Sequence, residues 1–192
     1  MSEQTEPMAE ATSAAVEAAQ GATDAPAAGA ATSPSPREAA LMAARAADDK
    51  KATDILVQHV AELVGETDYF VIATASNARQ VSAIVDQVED DLRTKAGLRP
   101  LHREETRDGS WELLDYGPFV VHVFQPETRE YYRLEQLWND APVVDLAAEA
   151  GIEDVQYSER IAAFLRDRFA GTPSRDQADA SADGAAAPVE QE

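Results

Sequence analysis

The sequence predicts an α/β (α+β) fold: a mixed sheet of about five strands flanked by helices, in the order α-β-β-α-β-β-β-α. Three observations carry that expectation. Short runs rich in β-branched and aromatic residues recur along the chain, as in DILVQHV, DYFVIATA and FVVHVF, and read as strands. One long segment, SNARQVSAIVDQVEDDLRTKAGL, repeats its apolar residues at helical spacing. The run Phe119–Phe124 is apolar on both faces, as a central strand is.

In order, SPREAALMAARAADDKK begins as a helix, with Ser35 as N-cap and Pro36 at the first helical position. DILVQHV and DYFVIATA follow as strands. The long helix starts at Asn77, which with Gln80 three residues on fits a capping box. Val81, Ile84, Val85, Val88 and Leu92 mark its buried face and Gly97 its stop. LRPLHREE is a weaker strand. Trp111–Tyr116 and Phe119–Phe124 form a strand pair joined at Gly117-Pro118. PETREYYRLEQLWND closes the core as one helix, with Tyr131, Leu134 and Trp138 on a common face. Beyond Asp145, SERIAAFLRDRFAGTP offers an amphipathic helix capped by Ser158, with Ile161, Phe164, Leu165 and Phe169 together. The sequence leaves open whether that helix docks on the core or awaits a partner.

This places a core domain at residues 36–146 and an extension with the amphipathic helix at 147–172. Residues 1–35 and 173–192, rich in Ala, Ser, Pro and acidic residues, cannot bury enough apolar surface to offset chain entropy and read as disordered tails. The 192 residues carry a formal net charge of −20, from 16 Lys and Arg against 36 Asp and Glu. Such a chain is repelled by phosphate backbones, which argues against direct, broad nucleic-acid binding and for a basic protein surface as partner. Cysteine is absent, so disulfides and thiolate chemistry are excluded. No apolar run reaches membrane-spanning length, and the expected compartment is the cytoplasm.

Catalytic signals are weak. His122, between Val121 and Val123, reads as a buried, hydrogen-bonded core histidine rather than a base. His59 and His102 form no pair at metal-binding spacing, so no metal is expected. Glu89, Asp90 and Asp91 read as a solvated helix face, and Glu104 and Glu105 as surface charge balanced by Arg103 and Arg107. Asp115 interrupts an apolar strand just before a turn. It either caps that turn or accepts a hydrogen bond from a partner's basic side chain. No nucleophile elbow or phosphate-binding glycine loop is present, and TASNAR is only a generic strand-to-helix anion site. Trp111 and Tyr116 share a strand with polar Glu112 and Asp115. A lone strand aromatic reads more readily as core, but the polar neighbours imply that part of this strand meets solvent, where the aromatics would be interface anchors.

The blocks KKATDILVQHV, TDYFVIATASNARQVSAIVDQVE, GSWELLDYGPFVVHVF and REYYRLEQLW, in this order across residues 38–145, resemble the ribosomal silencing factor, or Iojap-like, family. The resemblance implies a nucleotidyltransferase-like fold without that fold's chemistry, no enzymatic activity and no cofactor. It implies a homodimer when free, and binding to the large ribosomal subunit through a ribosomal protein on the intersubunit face. Small-subunit joining would thereby be blocked and translation repressed under nutrient limitation, with a part in large-subunit maturation as a second role. It also implies that Trp111, Leu114, Asp115 and Tyr116 make the partner contact.

The chain departs from the family pattern at three places. Ala75 replaces a glycine after the second strand, Thr106 replaces one before the Trp strand, and Pro118 stands where an acidic residue is common. Two other classes remain as alternatives. A nucleotidyl-transferring enzyme would need a Gly-Ser loop and closely spaced acidic residues for Mg²⁺, which the strands lack. A protein-binding adaptor without the ribosome would use the C-terminal amphipathic helix.

Overall fold

The apolar repeat of the long helix does what its spacing requires. In the computed structural model, which describes residues 33–169, Val81, Ile84, Val85, Val88 and Leu92 are all fully buried against the sheet. This helix, α3 (Ala78–Ala96), is the longest in the fold. Asn77 caps it by accepting from the Gln80 N–H at 3.0 Å. The reciprocal half of the box is displaced, because the Gln80 side chain accepts from the Ser76 N–H at 2.8 Å rather than from Asn77. Gly97 ends it at φ 68, a left-handed conformation that suits glycine.

Helix α1 (Pro36–Asp49) precedes it, with the Ser35 cap completed into a capping box by Glu38. Its buried side is Leu41 and six alanines, small enough to let the helix backbone lie close to the sheet. The strands are β1 (Thr53–His59), β2 (Tyr69–Thr74), β3 (His102–Glu105), β4 (Trp111–Asp115) and β5 (Phe119–Phe124). They form one five-stranded sheet in the order β1-β2-β5-β4-β3. β2 and β5 pair in parallel and every other pair is antiparallel, so the sheet is mixed. β5, buried on both sides, lies at its centre.

Helices α1 and α3 cover one face of this sheet. The other is covered by short pieces: α2 (Ala61–Val64), α4 (Pro126–Tyr132), α5 (Leu134–Leu137) and α7 (Glu159–Phe169). Here the structure corrects the sequence reading. PETREYYRLEQLWND is two helices, because Arg133 between them sits at φ 45. That break reorients the segment: Tyr131 is exposed and Tyr132 turns inward with Leu134 and Trp138. α2 and α6 (Leu146–Ala150) were not expected. Both are too short for a helical repeat to be read from sequence.

α6 runs across residues 146–147 and joins α1 through an ion pair between Arg37 and Glu149, and through Arg45 to the carbonyl of Ala150. The amphipathic C-terminal helix α7 docks. Ile161 and Phe164 pack on Leu56 beside Val143 and Leu165, while Phe169 is partly exposed. The segments leading to α7 also cover the outer edge of β1. Val144 N–H donates to Val57 O at 2.8 Å and Asp54 N–H to Gln156 O at 2.9 Å. The expected disordered tails, apart from residues 33–35, lie outside the described residues.

Candidate functional site

Strand β4 alternates its side chains between the two faces of the sheet, and this divides the four residues singled out by the resemblance. Residues opposite one another in neighbouring strands share a face. Trp111 pairs with Phe124 and Asp115 with Val120, on the face beneath α4 and α5. Leu114 pairs with Val121 and points under α3, as does Tyr116, whose ring stacks on Phe119 at 4.7 Å. The expectation of a partly exposed strand is not met: every residue of β4 is buried. Glu112 is buried because it is paired, accepting from Ser82 Oγ at 2.7 Å and from Arg103 at 2.9 Å.

The face that holds Trp111 and Asp115 is aromatic. The Trp111 ring stacks on Phe124 at 4.7 Å and lies 5.2 Å from Tyr132, which meets Tyr131 edge-on at 4.9 Å. An aromatic run therefore leads from the sheet, through α4, to solvent, where Tyr131 is 77% exposed. Leu137 on α5 is 64% exposed. Leu113 and Val120 extend the face beside Asp115. Leu113 was missed in the sequence reading because the resemblance pointed to its neighbour Leu114. Asp115 accepts from the Gly117 N–H at 2.7 Å, which realises its turn-capping reading. Gly117, at φ 82, makes that turn possible.

His122 lies in the middle of this face, 5.3 Å from Phe70 and 5.8 Å from Trp111. It is buried as expected but not hydrogen-bonded as expected. Neither ring nitrogen, nor the indole Nε1 of Trp111, has a partner among the described residues. Burial and then the nearby charge of Arg129 push its pKa down to about 3, so the ring is neutral near pH 7. Tyr116, by contrast, is pushed above its ordinary value by burial and by Glu89.

Behind the aromatic run lies an ion network that sequence reasoning missed. Arg129 (α4) and Glu135 (α5), 2% and 0% exposed at the side chain, meet at 2.8 Å. Arg129 also donates to Thr74 Oγ1 at 3.3 Å and Asp54 O at 3.4 Å. Arg160 of α7 bonds the other oxygen of Glu135 and pairs with Glu130 at 2.7 Å. Burial lowers the Arg129 pKa against the opposing pull of Glu135. Burial raises that of Glu135, but the two guanidiniums outweigh it and leave the carboxyl below its usual range. Only the spacing Arg129–Glu135 was available in sequence, and it carries no signal across a helix break.

Other candidates resolve into structure. Asp91 is buried, held by Lys95 at 2.6 Å and Gln87 at 2.9 Å, rather than solvated. Arg103 pairs with Asp86, Glu89 and Glu112, not with its neighbours in sequence. Thr106, in place of a family glycine, accepts at its hydroxyl from the Ser110 and Trp111 N–H groups and so shapes the β3–β4 turn. At the start of α3, side chains of the chain itself occupy the Ser76 and Gln80 N–H groups. Among the described residues no three His, Asp or Glu side chains gather as a metal site. No described helix is long and apolar enough to cross a membrane.

A sequence model of the family described as "Ribosomal silencing factor during starvation" matches residues 33–168. The chain belongs to the ribosomal silencing factor family. It is similar to the ribosomal silencing factor RsfS of Bacillus subtilis, 40% identical over 105 residues, 55% of this chain and 88% of the relative. It is also similar to the mouse protein named mitochondrial assembly of ribosomal large subunit protein 1. The two are 36% identical over 111 residues, 55% of this chain and 49% of that one. A crystal structure of a protein from Chromobacterium violaceum shares the fold. Its TM-score is 0.52 at 33% identity, covering 55% of this chain and 87% of that one. The silencing-factor match extends through nearly all of α7, so the docked helix lies inside the stretch that identifies the family.

Proposed function

We propose that the protein binds the large ribosomal subunit through the sheet face of β4 and β5 and its α4–α5 cover. Its partner there is a basic ribosomal protein on the intersubunit face. Occupying that site blocks joining of the small subunit and so represses translation when nutrients are short. The observation that carries this reading is the aromatic run from Trp111 through Tyr132 to exposed Tyr131. Large aromatic rings that reach solvent, with Leu137 of α5 also exposed, supply anchor area at low conformational cost. The acidity of the chain favours encounter with a basic protein surface.

Of the four residues the resemblance implies, Trp111 and Asp115 share the proposed face, whereas Leu114 and Tyr116 support it from beneath. The protein acts by occupancy, without an enzymatic step, in the cytoplasm, and is a homodimer when free. Assistance in large-subunit maturation fits the same surface. The names borne by the bacterial and mouse relatives support the ribosomal part of this reading.

The test is competition. Large subunits incubated with the protein are mixed with small subunits and the joined particles are counted by sedimentation. The protein is expected to reduce joining in a dose-dependent way and to travel with free large subunits. Joining that proceeds unchanged at saturating protein rejects the mechanism.

A further inference from the structure

Helix α7 reaches the same α4–α5 cover from the opposite side, through polar contacts. Arg160 bridges the two short helices by pairing with Glu130 on α4 and Glu135 on α5. One residue before the end of α7, Arg168 donates to Asn139 Oδ1, just beyond α5, at 2.6 Å. Ile161 and Phe164 seat the helix on Leu56 of β1. The approach to α7 is pinned as well: Ser158 N–H donates to Asp54 Oδ1 at 2.6 Å, and Tyr157 donates to the Ile55 carbonyl at 3.3 Å.

The cover held down in this way carries two costs. Arg133, the junction of α4 and α5, lies in the left-handed region at φ 45, a costly conformation for a residue with a Cβ. Beneath it, Trp111 Nε1 and both nitrogens of His122 are buried and unpartnered among the described residues. Each such group forfeits hydrogen bonds that it would make with water or a partner. Unmet polar atoms below and a strained joint above offset part of what burying the apolar cluster under the cover gains, so its closure is weaker than that burial alone would make it. Contacts from outside then decide whether it stays shut.

We propose that α7 is a latch. It holds α4–α5 closed over the Trp111–His122 face, and the ribosomal protein engages that face with the latch released. The inference rests on the proposed ribosomal function and adds a regulation of the same site. With Arg160 engaged, the binding-competent state is a minor one and the apparent affinity is reduced by its fraction. Anything that draws Arg160 away, such as an acidic group on the large subunit, raises that affinity.

The test uses the full chain with Arg160→Met, which keeps the aliphatic stem and removes the charge. Arg129 remains to pair with Glu135. Hydrogen exchange is followed across residues 126–141 together with affinity for isolated large subunits. The latch predicts exchange about tenfold faster in that segment, with β2 and β5 unchanged, and tighter binding to the large subunit. Arg160→Lys, which can satisfy only one carboxylate well, is expected to fall between wild type and Arg160→Met. Should Arg160→Met fold poorly, Arg168→Met removes the other tie of α7 to the cover, the exposed contact to Asn139, and is expected to act in the same direction.

Unchanged exchange overturns the latch. Faster exchange with weaker binding also overturns it, since α7 would then brace a competent surface rather than restrain it. A wild-type chain with no affinity for large subunits rejects the ribosomal reading. The exchange measurement then still decides whether Arg160 holds the cover.

Discussion

Beneath α1 and α3 the sheet meets mainly alanines and branched aliphatics, with the Tyr116–Phe119 stack and the Glu112–Arg103 pair toward the β3–β4 edge, whereas beneath α4 and α5 it meets a cluster of aromatic rings, an unpartnered histidine and the Arg129–Glu135–Arg160 network. The first face has two long, well-capped helices over it. The second has pieces of four to eleven residues, one joint of which is strained. A buried ion pair seldom improves on well-packed apolar residues for stability, and unpartnered buried polar atoms detract from it. The α1–α3 face, with the larger apolar cluster, therefore supplies the greater share of the folding free energy. The opposite face keeps groups that folding alone does not favour, as a surface used for binding does.

The largest expected effect breaks the second face from within. Arg129→Ala removes the centre of the network and leaves Glu135 buried with a single partner, at a cost of about 3–5 kcal/mol, measured by chemical denaturation. Ile84→Ala, on the opposite face, opens a cavity under α3 and costs about 2–4 kcal/mol. If Arg129→Ala proved harmless while Ile84→Ala did not, the network would be peripheral and the contrast between the faces weaker than drawn.

A smaller effect depends on pH. The folded-state pKa of His122 is lowered to about 3, so the folded chain binds fewer protons than the unfolded chain. Stability is then full above the ordinary histidine value of about 6.5 and falls as the pH drops toward 3. The slope reaches about 1.4 kcal/mol per unit. Between pH 6.5 and 5 the wild type is expected to lose about 1.6 kcal/mol. His122→Phe is expected to lose distinctly less over the same window. Equal losses in the two proteins would mean that the ring finds water or a partner in solution.

The first face was legible in the sequence and much of the second was not, for a physical reason. Val81, Ile84, Val85, Val88 and Leu92 repeat at the period of one helix, and Asn77 and Gly97 mark its ends by local chemistry. The Gly117-Pro118 turn and the central strand Phe119–Phe124 are equally local signals. Arg133 carries no mark of a left-handed break, because it is neither Gly nor Asn. The tie between Arg129, Glu135 and Arg160 joins three helices and is decided by packing. Trp111, Leu114, Asp115 and Tyr116 read as one patch because they are neighbours in sequence, yet the two-residue period of a strand sends them to opposite faces. Glu112 looked solvent-facing until Ser82 and Arg103 supplied its partners.

The most direct test sets one residue from each face side by side. Tyr131→Ala removes an exposed ring at the end of the aromatic run and Ile84→Ala removes packing beneath α3. Large-subunit affinity and thermal unfolding are measured on both. Tyr131→Ala is expected to weaken binding by about 2 kcal/mol, close to thirtyfold, with its melting temperature unchanged. Ile84→Ala is expected to melt earlier and, while folded, to bind like wild type. Wild-type affinity in Tyr131→Ala would contradict the assignment of the α4–α5 side as the surface that meets the ribosome.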